Sequence, residues 1–154
     1  MLFVGVMNNI APILNKNRKG IIMSLELINS ASQSVISGGK LALGSVNIRK
    51  CDGSVVYNGT DTLNFLKNGT YMLLTKVDAT ATTATQLMKY SISYNGTVSQ
   101  IASASAIGTD IGDTETLVIP KMVKICNEPL SITFVNSGAD TTTYQNLIID
   151  IWKV

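Results

Sequence analysis

Two cysteines, five tyrosines and ten carboxylates are the side chains with which these 154 residues could do chemistry, and no histidine joins them. That absence removes Ser-His-Asp and Cys-His nucleophile pairs, histidine general bases and most catalytic zinc sites at once. A glycan-cleaving hydrolase or lyase would need two carboxylates facing each other across a cleft, and the scattered acids here define no such pair. Asp110, Asp113 and Glu115 lie near one another but lack the dense spacing of a calcium loop, and read as an ordinary polar loop. Cys51 and Cys126 both flank expected strands and read as free thiols, although sequence alone leaves open whether they meet. Asn-Gly-Thr begins at Asn58, Asn68 and Asn95; each triplet is formally a glycosylation sequon, yet each falls where a hairpin turn is wanted. No glycine-rich phosphate loop occurs, nor the basic-aromatic interleaving that single-strand binders use. The expectation is a chain without enzyme activity, cofactor, metal or nucleic-acid partner.

What must position these residues is a succession of strands. From Met23 onward the apolar residues recur with period two: Leu25 and Leu27, then Val46 and Ile48, then Tyr71, Leu73, Thr75 and Val77. Met88, Tyr90, Ile92 and Tyr94 share one strand face, with Lys89, Ser91 and Ser93 on the other. Residues 62–77 read as strand, Asn68-Gly69 turn and strand, the strongest short-range hairpin signal in the chain. Asp52-Gly53, Asn58-Gly59 and Asn95-Gly96 mark further turns. Residues 79–86, rich in Ala and Thr, read as a loop, as do 108–113. Pro120 and Pro129 are expected at strand ends, where a missing donor costs little. About nine to eleven short strands and no convincing helix predict an all-β antiparallel sandwich or barrel over residues 23–154.

Composition agrees with one such domain. An apolar fraction of 45% with only 14% charged residues suits buried strands and excludes a disordered chain. A net charge of +2 is too small to argue for nucleic acid or an anionic membrane. No stretch reaches the ~20 consecutive apolar residues of a membrane span. Residues 1–22 differ in character: Leu2, Phe3, Val4, Val6 and Ile10 are apolar, while Lys16, Arg18 and Lys19 form a basic cluster. Gly5 and Pro12 oppose a stable helix, and basic residues after rather than before the apolar run fit a secretion signal poorly. This segment is expected to be an extended docking arm that orders on a partner.

The order VVYNGTDTLNFLKNGTYMLLTKV, MKYSISYNGTVSQ, a polar Gly-Asp loop, LVIPKMVKICN, LSITFVNSG and NLIIDIWKV resembles the jelly roll shared by tumour necrosis factor and the complement globular heads. The resemblance covers residues 45–154 and rests on a Gly-X-Tyr strand start at Gly69-Thr70-Tyr71 and a mid-domain Asn95-Gly96 hairpin. It departs from the pattern at Gly112-Asp113, which Thr-Glu-Thr follows before the next apolar strand. It implies a homotrimer, and the strand-borne aromatics Tyr71, Tyr90, Tyr94, Phe134 and Trp152 are assigned to the subunit interface, with core packing as the other reading. The same jelly roll recurs in phage head-fibre, decoration and receptor-binding proteins. By that analogy the expected function is a structural protein of a virion surface, attached to a capsid or tail protein through residues 1–22. The alternative is a receptor- or carbohydrate-binding module at a fibre tip, with loops 79–86, 108–113 and 137–142 facing a host glycan or receptor. An extracellular ligand is a further possibility of the resemblance.

Overall fold

The structure, a computed structural model, describes residues 23–50 and 52–154. Eleven strands run in the order β1 (Ser24–Asn29), β2 (Gln33–Val35), β3 (Ser45–Lys50), β4 (Val55–Tyr57), β5 (Leu63–Phe65), β6 (Gly69–Ala81), β7 (Gln86–Tyr94), β8 (Thr97–Gly108), β9 (Thr114–Ile125), β10 (Leu130–Asn136) and β11 (Thr142–Lys153). One sheet has the order β3-β1-β11-β6-β9, with β2 also pairing β11; the other runs β4-β5-β10-β7-β8. Every pairing is antiparallel. The chain is thus an all-β, two-sheet jelly roll, as the spacing of its turns predicts.

Alternation builds each layer. In β6, Tyr71, Leu73, Thr75, Val77, Ala79 and Ala81 are buried; in β7, Met88, Tyr90 and Ile92; in β11, Tyr144, Leu147, Ile149 and Ile151. These inward faces meet between the sheets with Leu27, Leu63, Phe65, Ile132 and Phe134. Phe65 and Tyr71 pack edge to face with centroids 5.0 Å apart. The buried tyrosines keep their hydroxyls paired: Tyr71 donates to the Lys67 carbonyl at 2.7 Å and Tyr144 to the Lys89 carbonyl at 3.0 Å, while Tyr90 meets the Thr75 hydroxyl at 2.7 Å. Burial pushes the Tyr90 and Tyr144 phenols well above their ordinary range, so both stay neutral.

Four local expectations change. Asn68-Gly69 does not close a hairpin: β5 pairs with β4 and β10, whereas β6 pairs with β11 and β9 in the other sheet. The turn is a corner at which the chain switches sheets, pinned where the Asn68 side chain accepts the Asn127 N–H at 2.8 Å. Asp52-Gly53 is a corner of the same kind, between β3 and β4. Asn95-Gly96 is the tight hairpin its sequence announces, with φ of 48° and 84° joining β7 to β8. Pro120 lies inside β9 rather than at an end; β9 is an edge strand, whose outer backbone needs no donor. Residues 79–81 belong to β6, which shortens the expected 79–86 loop to 82–85. Gly44 is fixed by both conformation and space, with φ of 83° and an added Cβ 2.1 Å from the Ile28 carbonyl oxygen.

Candidate functional site

The outward face of the six-stranded sheet presents apolar residues in cross-strand rows. One row runs Ile48, Glu26, Asp150, Leu74, Pro120; the next Lys50, Ser24, Trp152, Met72, Met122; a third Ile28, Ile148, Lys76, Val118. Ile48 and Met122 are 52% and 59% exposed, and Leu74, Val46 and Val118 are also open to solvent. Between the first two rows lies a depression of about 370 Å³ lined by Leu25, Ile48, Leu74, Ile151, Trp152 and the two acids. Exposed apolar surface like this, set around Glu26, Asp150 and Lys76, is the kind on which another surface packs.

Glu26 and Asp150 stand opposite each other across β1 and β11 in the middle of this face. Partial burial, then a hydrogen bond and charge repulsion from Glu26, push the Asp150 carboxyl above the ordinary carboxylate range. The Asn47 amide donates to Glu26, and Lys50 and Lys76 are the cations of the adjoining rows. Sequence reasoning found no acid pair because the two residues are separated by most of the chain. Side by side on one sheet face, they do not flank a bond from two sides as a glycosidase requires.

At one end of the sandwich the three loops expected to carry recognition come together. The buried Gln86 side chain accepts the Thr82 N–H at 2.7 Å and donates to the Thr142 hydroxyl at 2.8 Å and the Thr141 carbonyl at 3.0 Å. Ala81 donates to the Asp113 carbonyl, Gly112 to the Ala81 carbonyl and Thr85 to the Thr109 carbonyl, all at 2.9 Å. Asp113 also accepts from the Asp110 N–H and the Thr109 hydroxyl, bonds that hold its carboxyl below its usual value. Residues 82–85, 109–113 and 141–142 therefore form one ordered surface built from separate loops.

The aromatic residues assigned to a subunit interface divide. Tyr71, Tyr90 and Phe134 are fully buried between the two sheets of a single chain, so that assignment is corrected: they have no surface to give a neighbour. Tyr94 also packs against the core, its buried hydroxyl without a partner among the described residues. Trp152 alone of the five stands on the outward apolar face. The residues that sequence reasoning missed are Ile48, Leu74, Val118, Met122 and Ile148. For Leu74, Val118 and Ile148 the signal was present in the doublets Leu73-Leu74, Val118-Ile119 and Ile148-Ile149: in a strand, only one of two neighbours can face the core. The arm residues Leu2, Phe3, Val4, Val6, Ile10, Lys16, Arg18 and Lys19 lie outside the described residues, as does Cys51; the Cys126 thiol is free and exposed. No three metal-ligating side chains cluster among the described residues, and no helix there is long and apolar enough to cross a membrane.

Compared by sequence, neither a family model nor a curated protein matches the chain. Compared by structure, it is similar to the Eiger TNF of S. frugiperda, with a TM-score of 0.71 at 7% identity over 87% of this chain and 93% of that one. Murine APRIL superposes with a TM-score of 0.65 at 12% identity, covering 86% and 98% of the two chains. The globular domain of zebrafish complement 1qA gives 0.61 at 5% identity, over 84% and 94%. At these identities the likeness establishes the fold, the tumour necrosis factor and complement type of jelly roll, and leaves function to the residues themselves.

Proposed function

We propose that this chain is a non-enzymatic structural protein of a virus or phage particle surface, a homotrimeric jelly roll held to a capsid or tail protein by residues 1–22. The observation that carries the self-association is the outward face of the six-stranded sheet. Its rows bring Ile48, Leu74, Trp152, Met72, Met122 and Val118 to one outward face, an exposed apolar patch of the kind that packs against another surface. Closed symmetric assembly covers such a patch with copies of itself and leaves no open edge for further growth. The particle-surface part of the reading is supported by composition: few charges, no histidine, and an apolar-basic segment preceding the sandwich. Deleting residues 1–22 is expected to abolish attachment to the particle while leaving the assembled mass per sandwich unchanged. An attached truncated protein would remove the docking role from that segment.

The loop end favours a second reading, a receptor- or carbohydrate-binding module at a fibre tip. Gln86 ties 82–85 to 141–142, and backbone bonds tie 81–85 to 109–113, which gives the multi-loop surface that recognition uses. A glycan array probed with wild type and with loop substitutions separates the two readings. Signal that disappears with the loop changes supports the module; signal indifferent to them counts against it.

A further inference from the structure

The outward positions of β7 and β10 hold an arrangement that neither reading uses. Thr133 and Ser93 are register partners on these strands, and both side chains point away from the core. Hydroxyls on an outer sheet face ordinarily stand in water, yet these two residues are only 7% and 2% exposed. They form the floor of a depression of about 290 Å³, walled by Lys40, the Asn95-Gly96 turn, Val98 and Val135.

Three local features make the depression. Lys40 bridges Val135 and so extends the sheet beyond β5. The Asn95-Gly96 turn rises at the other end; the Asn95 side-chain oxygen accepts the Ser131 N–H at 2.8 Å, which leaves its NH₂ group available. Finally, β8 rejoins β7 out of register: Ser91 pairs with Ser103 but Ser93 with Val98, so residues 99–102 bulge from the sheet.

The hydroxyls on this floor are accessible. The neighbouring Ser91 hydroxyl is paired with Ser137 at 2.6 Å; Ser93 and Thr133 line the depression and, unlike the enclosed Tyr94 hydroxyl, theirs are not shut away from solvent. Hydroxyls that open into a depression bind water or a ligand there. The hydroxyls of Ser93, Thr133 and Ser131, that of Thr62 already paired with Asp61, one amide NH₂, one ammonium and two valine side chains make a set that a sugar ring satisfies: alternating hydroxyls on its edge and C–H groups on its face. Lys40 lies within electrostatic reach of Asp61 and is the single cation on the lining, which disfavours a bare phosphate or sulfate. The volume is at the small end for ligand pockets and admits one ring rather than a chain.

We propose that this depression binds a single saccharide residue, with Ser93, Thr133 and Asn95 reading its hydroxyls and Lys40 meeting a carboxylate where the sugar carries one. The site lies on the opposite side of the sandwich from the apolar face and away from the loop end. It therefore stands or falls separately from self-association and from loop-borne recognition. The test is an amide NMR titration of the full chain with four probes: the methyl glycosides of glucose, galactose, N-acetylglucosamine and N-acetylneuraminic acid. At least one is expected to give saturable shifts confined to residues 91–98 and 131–135. Thr133→Val, which keeps the shape and removes the hydroxyl, is expected to weaken that probe about tenfold. Ser93→Ala repeats the test should Thr133→Val alter the unliganded spectrum. Lys40→Ala is expected to weaken the acidic sugar alone. No saturable shift with any of the four probes would overturn the site, as would shifts mapping to 82–85 and 109–113, or full affinity in both hydroxyl variants.

Discussion

The two sheets share one core and turn very different faces to the outside. On the six-stranded sheet the outward residues include Ile48, Leu74, Val118, Met122, Ile148 and Trp152; on the five-stranded sheet they include Ser91, Ser93, Ser103, Ser105, Ser131 and Thr133. An antiparallel sheet with one face in water alternates apolar inward and polar outward, and only the five-stranded sheet keeps that rule over most of its surface. Its exceptions are scattered: Leu87 and Ile107 pair across β7 and β8 beside the loop end, and Val56, Val98 and Val135 stand singly among polar neighbours. The six-stranded sheet breaks the rule at least once on each of β3, β1, β11, β6 and β9, and exposed apolar surface of that kind is what self-association would cover.

The sharpest way to break this comparison is to place charge on the apolar face. Leu74→Asp with Met122→Asp is expected to weaken self-association by about a hundredfold or more, because unpaired carboxylates would be buried on assembly. Thr133→Asp, the same charge on the other face, is expected to leave the assembled mass unchanged in sedimentation. Equal losses from both changes would erase the distinction between the faces.

A smaller effect tests the loop end. Gln86→Ala leaves the Thr82 N–H and the Thr142 hydroxyl without their buried partner, and should lower unfolding stability by about 2–3 kcal/mol in a urea titration. Its mass should not change, and a dissociated variant would make the loop end part of the assembly.

The acid pair gives a pH signature that belongs to the apolar face alone. The Asp150 carboxyl is raised in the folded chain, so its contribution to stability is complete below the ordinary carboxylate range and is lost as pH rises through the raised value. Melting temperature is expected to drop across that window as pH rises, and Asp150→Asn to flatten the profile. A profile unchanged by Asp150→Asn would show that the pair is not strained.

The smallest effect lies where the apolar rows begin. Asn146 adopts φ of 56° at the register shift between Gln145 and Ile148, and its amide donates to Asp78 at 3.0 Å. Asn146→Ala should cost roughly 1 kcal/mol and Asn146→Gly less, measured by thermal unfolding. A larger loss from glycine than from alanine would mean that the Asp78 contact, rather than the backbone, holds this bulge.

Much of the fold was legible because alternation and turn chemistry are local. Met88, Tyr90, Ile92 and Tyr94 announce an inward face, and Asn95-Gly96 is a hairpin wherever it stands. Asn68-Gly69 is the same dipeptide, yet Gly69 stands at φ 151° with Asn68 outside the left-handed region, and the pair joins strands of different sheets: Asn-Gly permits a tight hairpin turn and does not oblige it. The site was harder to read. Tyr71, Tyr90 and Phe134 drew attention by size, but large aromatics fill cores before they build interfaces. The informative residues were the apolar doublets of β6, β9 and β11, in each of which one member has no core to enter. Glu26 with Asp150, and Ser93 with Thr133, are juxtaposed only by strand register across long sequence separations, which no local pattern encodes.

The most direct test of the central claim is the solution mass of the purified chain by light scattering across a dilution series. The apolar face predicts a mass of three chains that persists on dilution and falls to one when Leu74 and Met122 are charged. A stable single-chain mass in the unmodified protein, at every concentration, would contradict it.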